Sequence, residues 1–385
     1  MKYFYAQHFI DKNDKKFVQK ALENKILSQG KYKFLLEKEV KKKFKSKYAI
    51  AMSNASNGLH LAYKVLGLKK GDYIITTPLT WTATVSAALR CQAKVELIDI
   101  DPKSLNMDLD KLEKFLKHKK KKPKIIVPVH YAGNPIDLKK LKKISDKYKI
   151  KIVEDAAQAM GAKYNKHYIG DCRYSDIVVF SMHPAKTITT GEGGLVLTNQ
   201  KNLFDEMTLL MHHGISKSKK NKYPWSQNII RFGYNYKISE INCALGLSQL
   251  KKINDFVNKK NKLKKMYIKN LSKFKGTDFQ IILKNCTSSN HLFPIMLKKN
   301  LSYDKKLKFY KYLKKQNIYL TLKYLPIHMN SFYKKYFKNK KFENTELYFK
   351  RAFNLPISYN LNYEDVNFIC RKIIIAFNKK NSNLL

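Results

Sequence analysis

The chain has 385 residues, too many for one ordinary core, and its 44% hydrophobic and 12% aromatic content excludes a disordered chain. The formal net charge is +48, almost all of it lysine; the arginines are only Arg90, Arg173, Arg231, Arg351 and Arg371. Nucleic-acid sites favour arginine forks, so the charge reads as the composition of an AT-rich coding sequence, with no nucleic-acid partner, and as a field that draws in phosphate-bearing small molecules.

In chain order, short β-rich runs alternate with helical patterns from about residue 48 to 200. The predicted strands are YAIAMS (48–53), DYIITTP (72–78), KVELIDI (94–100), KIIVPVHY (124–131), KIVEDAA (151–157), DIVVFSM (176–182) and GLVLTN (194–199). Several are continuously apolar, as strands covered on both faces are. Helices fit between them, such as NGLHLAYKVLGL (57–68) and DLKKLKKISDKY (137–148). This alternation predicts an α/β fold with a mostly parallel sheet. Residues 239–274 read as one long helical stretch. Beyond it, HLFPIML (291–297) and IYLTLKY (318–324) read as strands, and KLKFYKYLKKQ (306–316) and the tail from Tyr363 as helices. We expect a large domain over residues 1–250 and a smaller C-terminal α/β domain over 251–385. The lysine runs at 117–124 and 217–222 read as solvated loops.

Five cysteines, Cys91, Cys172, Cys243, Cys286 and Cys370, form no CxxC pair, which fits a reducing compartment. The opening MKYFYAQHFIDKNDKK lacks a signal peptide's apolar core, and no apolar run approaches the roughly 18 residues that span a bilayer. A soluble cytoplasmic protein without a membrane partner is expected.

Parallel sheets place ligands at the carboxyl ends of their strands, and the chemically interesting residues follow the strands. Lys186, in SMHPAKTITTGEGG after DIVVF, is placed like a Schiff-base lysine whose desolvated amine is a nucleophile; on position alone, in so lysine-rich a chain, a solvated loop lysine is the commoner reading. Asp155 ends an apolar strand and needs a cationic partner, such as a protonated pyridine nitrogen, or else it caps the next helix. Gln158 is close enough to donate to a phenolic oxygen. SNASNG (53–58) makes either a phosphate cradle with Ser56 or a plain cap. Trp81 either stacks on a flat ring or belongs to the core. His183 either orients the site or simply packs. His130, His183, His212 and His213 show no metal-ligand spacing, so no metal is expected, and no GxSxG elbow marks a hydrolase.

Taken jointly, residues 53–58, 76–84, 154–161, 180–199 and 231–250 resemble the DegT/DnrJ/StrS-type sugar-nucleotide aminotransferases. Ser181, His183, Lys186, Thr189, Thr190, Gly191, Glu192, Gly193 and Gly194 carry the family's S-x-H-x-x-K-x-x-T-T-G-E-G-G signature. The resemblance implies a type I, aspartate aminotransferase-like fold with pyridoxal 5'-phosphate as cofactor, held covalently by Lys186. It implies that Asp155 pairs with the ring nitrogen and Gln158 with the phenolic oxygen. Ser56, Asn57 and Ser181 would hold the phosphate and Trp81 the ring face. Asn235 would reach the neighbouring subunit's cofactor, in a homodimer with shared sites. Lysine where dehydrating relatives carry histidine implies amino transfer from L-glutamate to a nucleotide-linked keto sugar. SSNHLFPI (288–295) and HHGI (212–215) resemble the branch that serves pseudaminic acid synthesis, which aminates C4 of a UDP-linked 4-keto-6-deoxy-N-acetyl-L-hexosamine. KYLPIHMNSFY (323–333) and EDAAQA follow the wider family, which leaves other GDP-, TDP- and UDP-linked 4-keto sugars, and a silent cofactor-binding regulator, as alternatives. Glu192, His213, Arg231 and His328 are substrate candidates, with Lys217, Lys219, Arg231 and Lys323 as cations for the diphosphate.

Overall fold

The computed structural model describes residues 2–216, 223, 225–274, 276–298 and 302–378; the lysine run at 217–222, with Lys217 and Lys219, lies outside them. Seven strands build the main sheet in the spatial order Tyr48–Met52, Gly194–Thr198, Ile177–Ser181, Lys151–Asp155, Ile125–Ile126, Tyr73–Thr76 and Lys94–Leu97. Every neighbouring pair is parallel except the two made by Gly194–Thr198, which runs antiparallel to both its neighbours.

The continuous apolar runs are explained by two-sided burial. Successive side chains of a strand point to opposite faces. Ile177, Val179 and Val196 pack into one core, while Val178, Phe180, Leu195 and Leu197 pack into the other. The covering helices start where the sequence supplies caps. Asp108 accepts from the N–H groups of Asp110 and Lys111, and Asp137 from that of Lys140. They then bury one stripe, Leu109, Leu112 and Leu116 in the first and Leu138, Leu141 and Ile144 in the second.

The run at 124–131 is strand only over Ile125–Ile126. Pro128 has no N–H to give a ladder, although its carbonyl accepts from Asp155 and Val129 still bridges to Asp155. The stretch at 318–324 is likewise strand only over Ile318–Tyr319, which pairs with Tyr3–Phe4 and so draws the N-terminus onto the C-terminal half. The segment at 239–274 is two helices, Glu240–Lys251 and Ile253–Ser272. The break falls at Lys252, whose N–H closes on Gln249 three residues back while its amine pairs with Asp11 (2.9 Å) and Asp14 (2.6 Å). The first of the two helices carries a clamp. The buried Glu240 carboxylate accepts from the N–H groups of Gly30 (2.8 Å), Tyr32 (2.5 Å) and Lys33 (3.2 Å), at the N-terminus of helix Lys31–Phe44.

A separate core, with Tyr267, Phe293, Leu297, Phe309 and Ile369, packs an antiparallel sheet of Thr277–Phe279, Phe293–Leu297 and Ala352–Leu355 against helices Ile253–Ser272 and Tyr363–Asn378. No helix among the described residues is long and apolar enough to cross a membrane.

Candidate active site

A cavity of about 620 Å³ opens at the carboxyl edge of the parallel strands. Ser56, Asn57, Trp81, Asp155, Gln158, Ser181, His183, Lys186 and Glu192 all line it, together with Tyr5, His291, Lys323 and Tyr324. One wall is the N-terminus of helix Ala55–Val65, where Asn54 accepts from the Asn57 N–H at 2.9 Å and Asn57 donates to the Ser53 hydroxyl at 3.0 Å. Gly194 lets the antiparallel strand begin against this turn, since a Cβ there would lie 2.5 Å from the carbonyl carbon of Asn54. The helix start presents backbone N–H groups and the positive end of its dipole to the cavity, the arrangement that binds phosphate.

The Asp155 carboxylate is 5% exposed. Thr84 donates to it at 2.7 Å and the Ala157 N–H at 3.2 Å, and Thr84 is itself held by Thr80 at 2.8 Å. No salt-bridge cation meets it among the described residues. A buried carboxylate with hydrogen bonds but no counter-ion fits a cationic ring nitrogen in the cavity. The residues present fit a pyridoxal phosphate: the helix start suits a phosphate and Asp155 a cationic ring nitrogen.

The Lys186 side chain reaches the cavity, but burial of its amine pulls the pKa down to about 8; Asp155 opposes the fall and Lys323 adds to it. The turn that aims Lys186 is built by His183. The His183 carbonyl accepts from the Lys186 N–H at 2.8 Å, and its Nδ1 accepts from the Ala185 N–H at 3.1 Å. The His183 side chain is otherwise half-exposed, with Nε2 3.9 Å from Glu192, and burial holds its pKa below the usual range. The TTGEGG turn is pinned from outside the sheet. The Asn242 amide donates to the carbonyls of Thr190 (2.5 Å) and Glu192 (3.1 Å), and Gly191 takes φ of 80°. Gln158 accepts from the Ala132 N–H at 2.7 Å and donates to the Tyr324 hydroxyl at 2.9 Å, which leaves one amide N–H for a ligand.

Asn235, Arg231, His213 and His328 do not line this cavity. Asn235 bridges to His212 on an exposed segment, and Arg231 lies there too, 3.9 Å from Glu206. His213 is exposed on the same segment, with its N–H on the Tyr234 carbonyl. His328 is buried against Phe342 with Nε2 3.0 Å from Glu346, a packed histidine in this chain. Sequence reasoning missed Thr84, Tyr324, His291 and Tyr5. Thr84 lay in the same LTWTAT turn as Trp81, three residues on and so on the same helical face; the others come from the N-terminus and the C-terminal half, and nothing local marks them.

A family model described as the DegT/DnrJ/EryC1/StrS aminotransferase family matches residues 8–374. A UDP-4-amino-4,6-dideoxy-N-acetyl-beta-L-altrosamine transaminase of Campylobacter jejuni is 34% identical over 365 residues, 95% of each chain. A Helicobacter pylori protein of the same name is 32% identical over 378 residues, 97% of each chain. The solved structure of Helicobacter pylori PseC, described as an aminotransferase involved in the biosynthesis of pseudoaminic acid, matches with a TM-score of 0.91 at 30% identity, over 97% of this chain and 99% of that one. With the type I aminotransferase architecture and a cavity that gathers the signature lysine and aspartate, the chain belongs to the DegT/DnrJ/EryC1/StrS aminotransferase family.

Proposed function

We propose that the protein is a pyridoxal-phosphate-dependent sugar-nucleotide aminotransferase that moves the amino group of L-glutamate to C4 of UDP-2-acetamido-2,6-dideoxy-β-L-arabino-hex-4-ulose, in pseudaminic acid or surface-glycan synthesis. The observation that carries this is the meeting of Lys186, a buried Asp155 that makes no ion pair among the described residues, and a helix N-terminus in one cavity. The names of the C. jejuni and H. pylori relatives, which print the 4-amino sugar, support the choice of the corresponding 4-keto sugar.

The bound cofactor supplies an electron sink for the carbanion left when a C–H bond beside nitrogen loses its proton. The residues do the rest. The Asp155 carboxylate, aimed by Thr84 and the Ala157 N–H, offers its charge to the ring nitrogen. The helix start at Asn54–Asn57, with Ser56 and Ser181, holds the phosphate. Trp81 covers the ring and Gln158 uses its remaining N–H on the phenolic oxygen. The Lys186 amine takes the proton from Cα of the donor and later delivers one to C4 of the sugar; a pKa of about 8 leaves a neutral fraction for this near neutral pH.

Residues 1–250 act as the cofactor-binding domain and 251–385 as the smaller domain. The protein works as a homodimer in which Asn235 serves the neighbouring site. Supporting this, the segment around it exposes Trp225 (81%) and Phe232 (85%), with Ile229 and Ile230, an apolar surface of the kind that partners cover.

Purified protein should carry the visible band of bound pyridoxal phosphate. Borohydride should fix the cofactor on the peptide containing Lys186, and glutamate should bleach the band. Supplied with glutamate and a panel of UDP-, GDP- and TDP-linked 4-keto sugars, it should yield one aminated product, read by mass. Covalent fixation in Lys186→Ala, or no aminated product from any sugar, would refute the reading.

A further inference from the structure

Lys323 stands in an aromatic enclosure inside this same cavity. Its amine lies 5.1 Å from the ring centre of Tyr5, 5.7 Å from that of Tyr324 and 5.9 Å from that of Trp81. All three rings line the cavity with it. The backbone there is fixed. The Lys323 carbonyl accepts a hydrogen bond from the Tyr131 hydroxyl, which meets the Tyr348 hydroxyl at 2.8 Å. None of the described carboxylates lies within ion-pair distance of the Lys323 amine, although lysines elsewhere in the chain make many such pairs.

The rest of the cavity is short of cations. Arg90 is engaged by Tyr236, Arg173 by Asp171, Arg231 by Glu206 and Arg351 by Asp278, while Arg371 sits on the exposed face of helix Tyr363–Asn378. Burial keeps the His183 and His291 imidazoles below their ordinary pKa. With Lys186 committed to the chemistry, Lys323 is the remaining Lys or Arg among the described residues that line the cavity.

We propose that Lys323 anchors the side-chain carboxylate of the amino donor and thereby sets the enzyme's choice of a dicarboxylic amino acid, an inference that rests on the aminotransferase reading above. The walls suit that ligand. The aromatic faces accept a donor's methylenes and at the same time hold the ammonium by cation–π attraction. A single amine among rings pairs one charge with one charge, whereas a diphosphate calls for several donors, as at the helix start. Lys323 therefore belongs to the first half-reaction and not to nucleotide recognition.

The two half-reactions are measured separately. In the first, cofactor-loaded protein is mixed with L-glutamate and bleaching is followed as a function of concentration. Lys323→Met should raise the apparent Kd for glutamate about 10- to 100-fold, the range expected for losing one charge-assisted contact. The limiting rate should stay within a few-fold, and Lys323→Arg should recover most of the affinity. Calorimetric binding of glutarate, a dicarboxylate that cannot react, should weaken in parallel. The second half-reaction, with a UDP-4-keto sugar and the amine-loaded enzyme, should keep its apparent Kd within twofold. An unchanged glutamate and glutarate affinity in Lys323→Met, or a loss confined to the nucleotide sugar, would overturn this inference alone. Absence of bleaching by glutamate in the unsubstituted protein would overturn the aminotransferase reading, and this inference with it.

Discussion

Burying the Lys186 amine costs stability, and the cost is measurable. Its pKa of about 8 in the folded protein compares with an ordinary 10.5. A fall of that size corresponds to about 3 kcal/mol, at about 1.4 kcal/mol per tenfold change in proton affinity. Between pH 8 and 10.5 the unfolded chain holds a proton on this amine that the folded chain has released. Raising the pH through that window therefore relieves the penalty, which is present in full below pH 8 and gone above 10.5. Lys186→Met removes the titration and leaves Lys260, Lys264 and Lys306, whose pKa values burial also lowers to about 8, to act equally in both proteins. With an unfolding entropy of about 2.1 cal/mol/K per residue over 385 residues, 3 kcal/mol is about 4 °C in Tm. Cofactor-free Lys186→Met should melt up to about 4 °C above the unsubstituted protein at pH 7.5, less whatever Asp155 loses with its neighbouring cation. The gap should shrink by about 4 °C at pH 10.5, followed by differential scanning fluorimetry. A gap that does not change with pH would refute the claim that the site holds this amine desolvated.

Asp155→Asn keeps the hydrogen bond from Thr84 and removes the charge. It should retain cofactor binding while lowering kcat by about a hundredfold or more, the scale of 3 kcal/mol withheld from a developing charge; activity within threefold of the parent would exclude pairing with the ring nitrogen. The +48 chain should draw anions in through a field that salt screens, over about 30 Å at 0.01 M and about 8 Å at 0.15 M. KM for the nucleotide sugar should rise with salt about twice as steeply, on a logarithmic scale, as KM for glutamate, which carries less charge, while kcat holds; equal slopes would show that the lysines play no part in capture.

The large sheet and the site residues that follow its strands were legible because two independent signals agree there. Continuous apolar runs such as IVVF mark strands covered on both faces, and Asp155, Ser181 and Lys186 sit where each run ends. The break at Lys252 was not legible, since no proline or glycine marks it and the ion pairs with Asp11 and Asp14 join residues more than 230 apart. The far wall of the cavity was hidden for the same reason. Tyr5, His291 and Tyr324 come from the N-terminus and the C-terminal half, and Tyr3–Phe4 pairing with Ile318–Tyr319 is what draws the first of them in.

The case of Lys323 shows what kind of information the fold adds. In sequence it was one of many basic residues available for a diphosphate, and composition made it indistinguishable from Lys217 or Lys219. Charge alone gives a lysine no assignment; its surroundings do. Solvent-facing lysines such as Lys140 or Lys201 stand beside carboxylates and are worth little individually. Lys323 has rings in place of a carboxylate, so its charge is neither neutralised nor fully solvated, and an incoming anion supplies what the protein withholds. The same logic governs Asp155, a carboxylate given hydrogen bonds but, among the described residues, no cation at ion-pair distance. Two unmatched charges of opposite sign line one cavity, and each corresponds to a ligand that the other would repel.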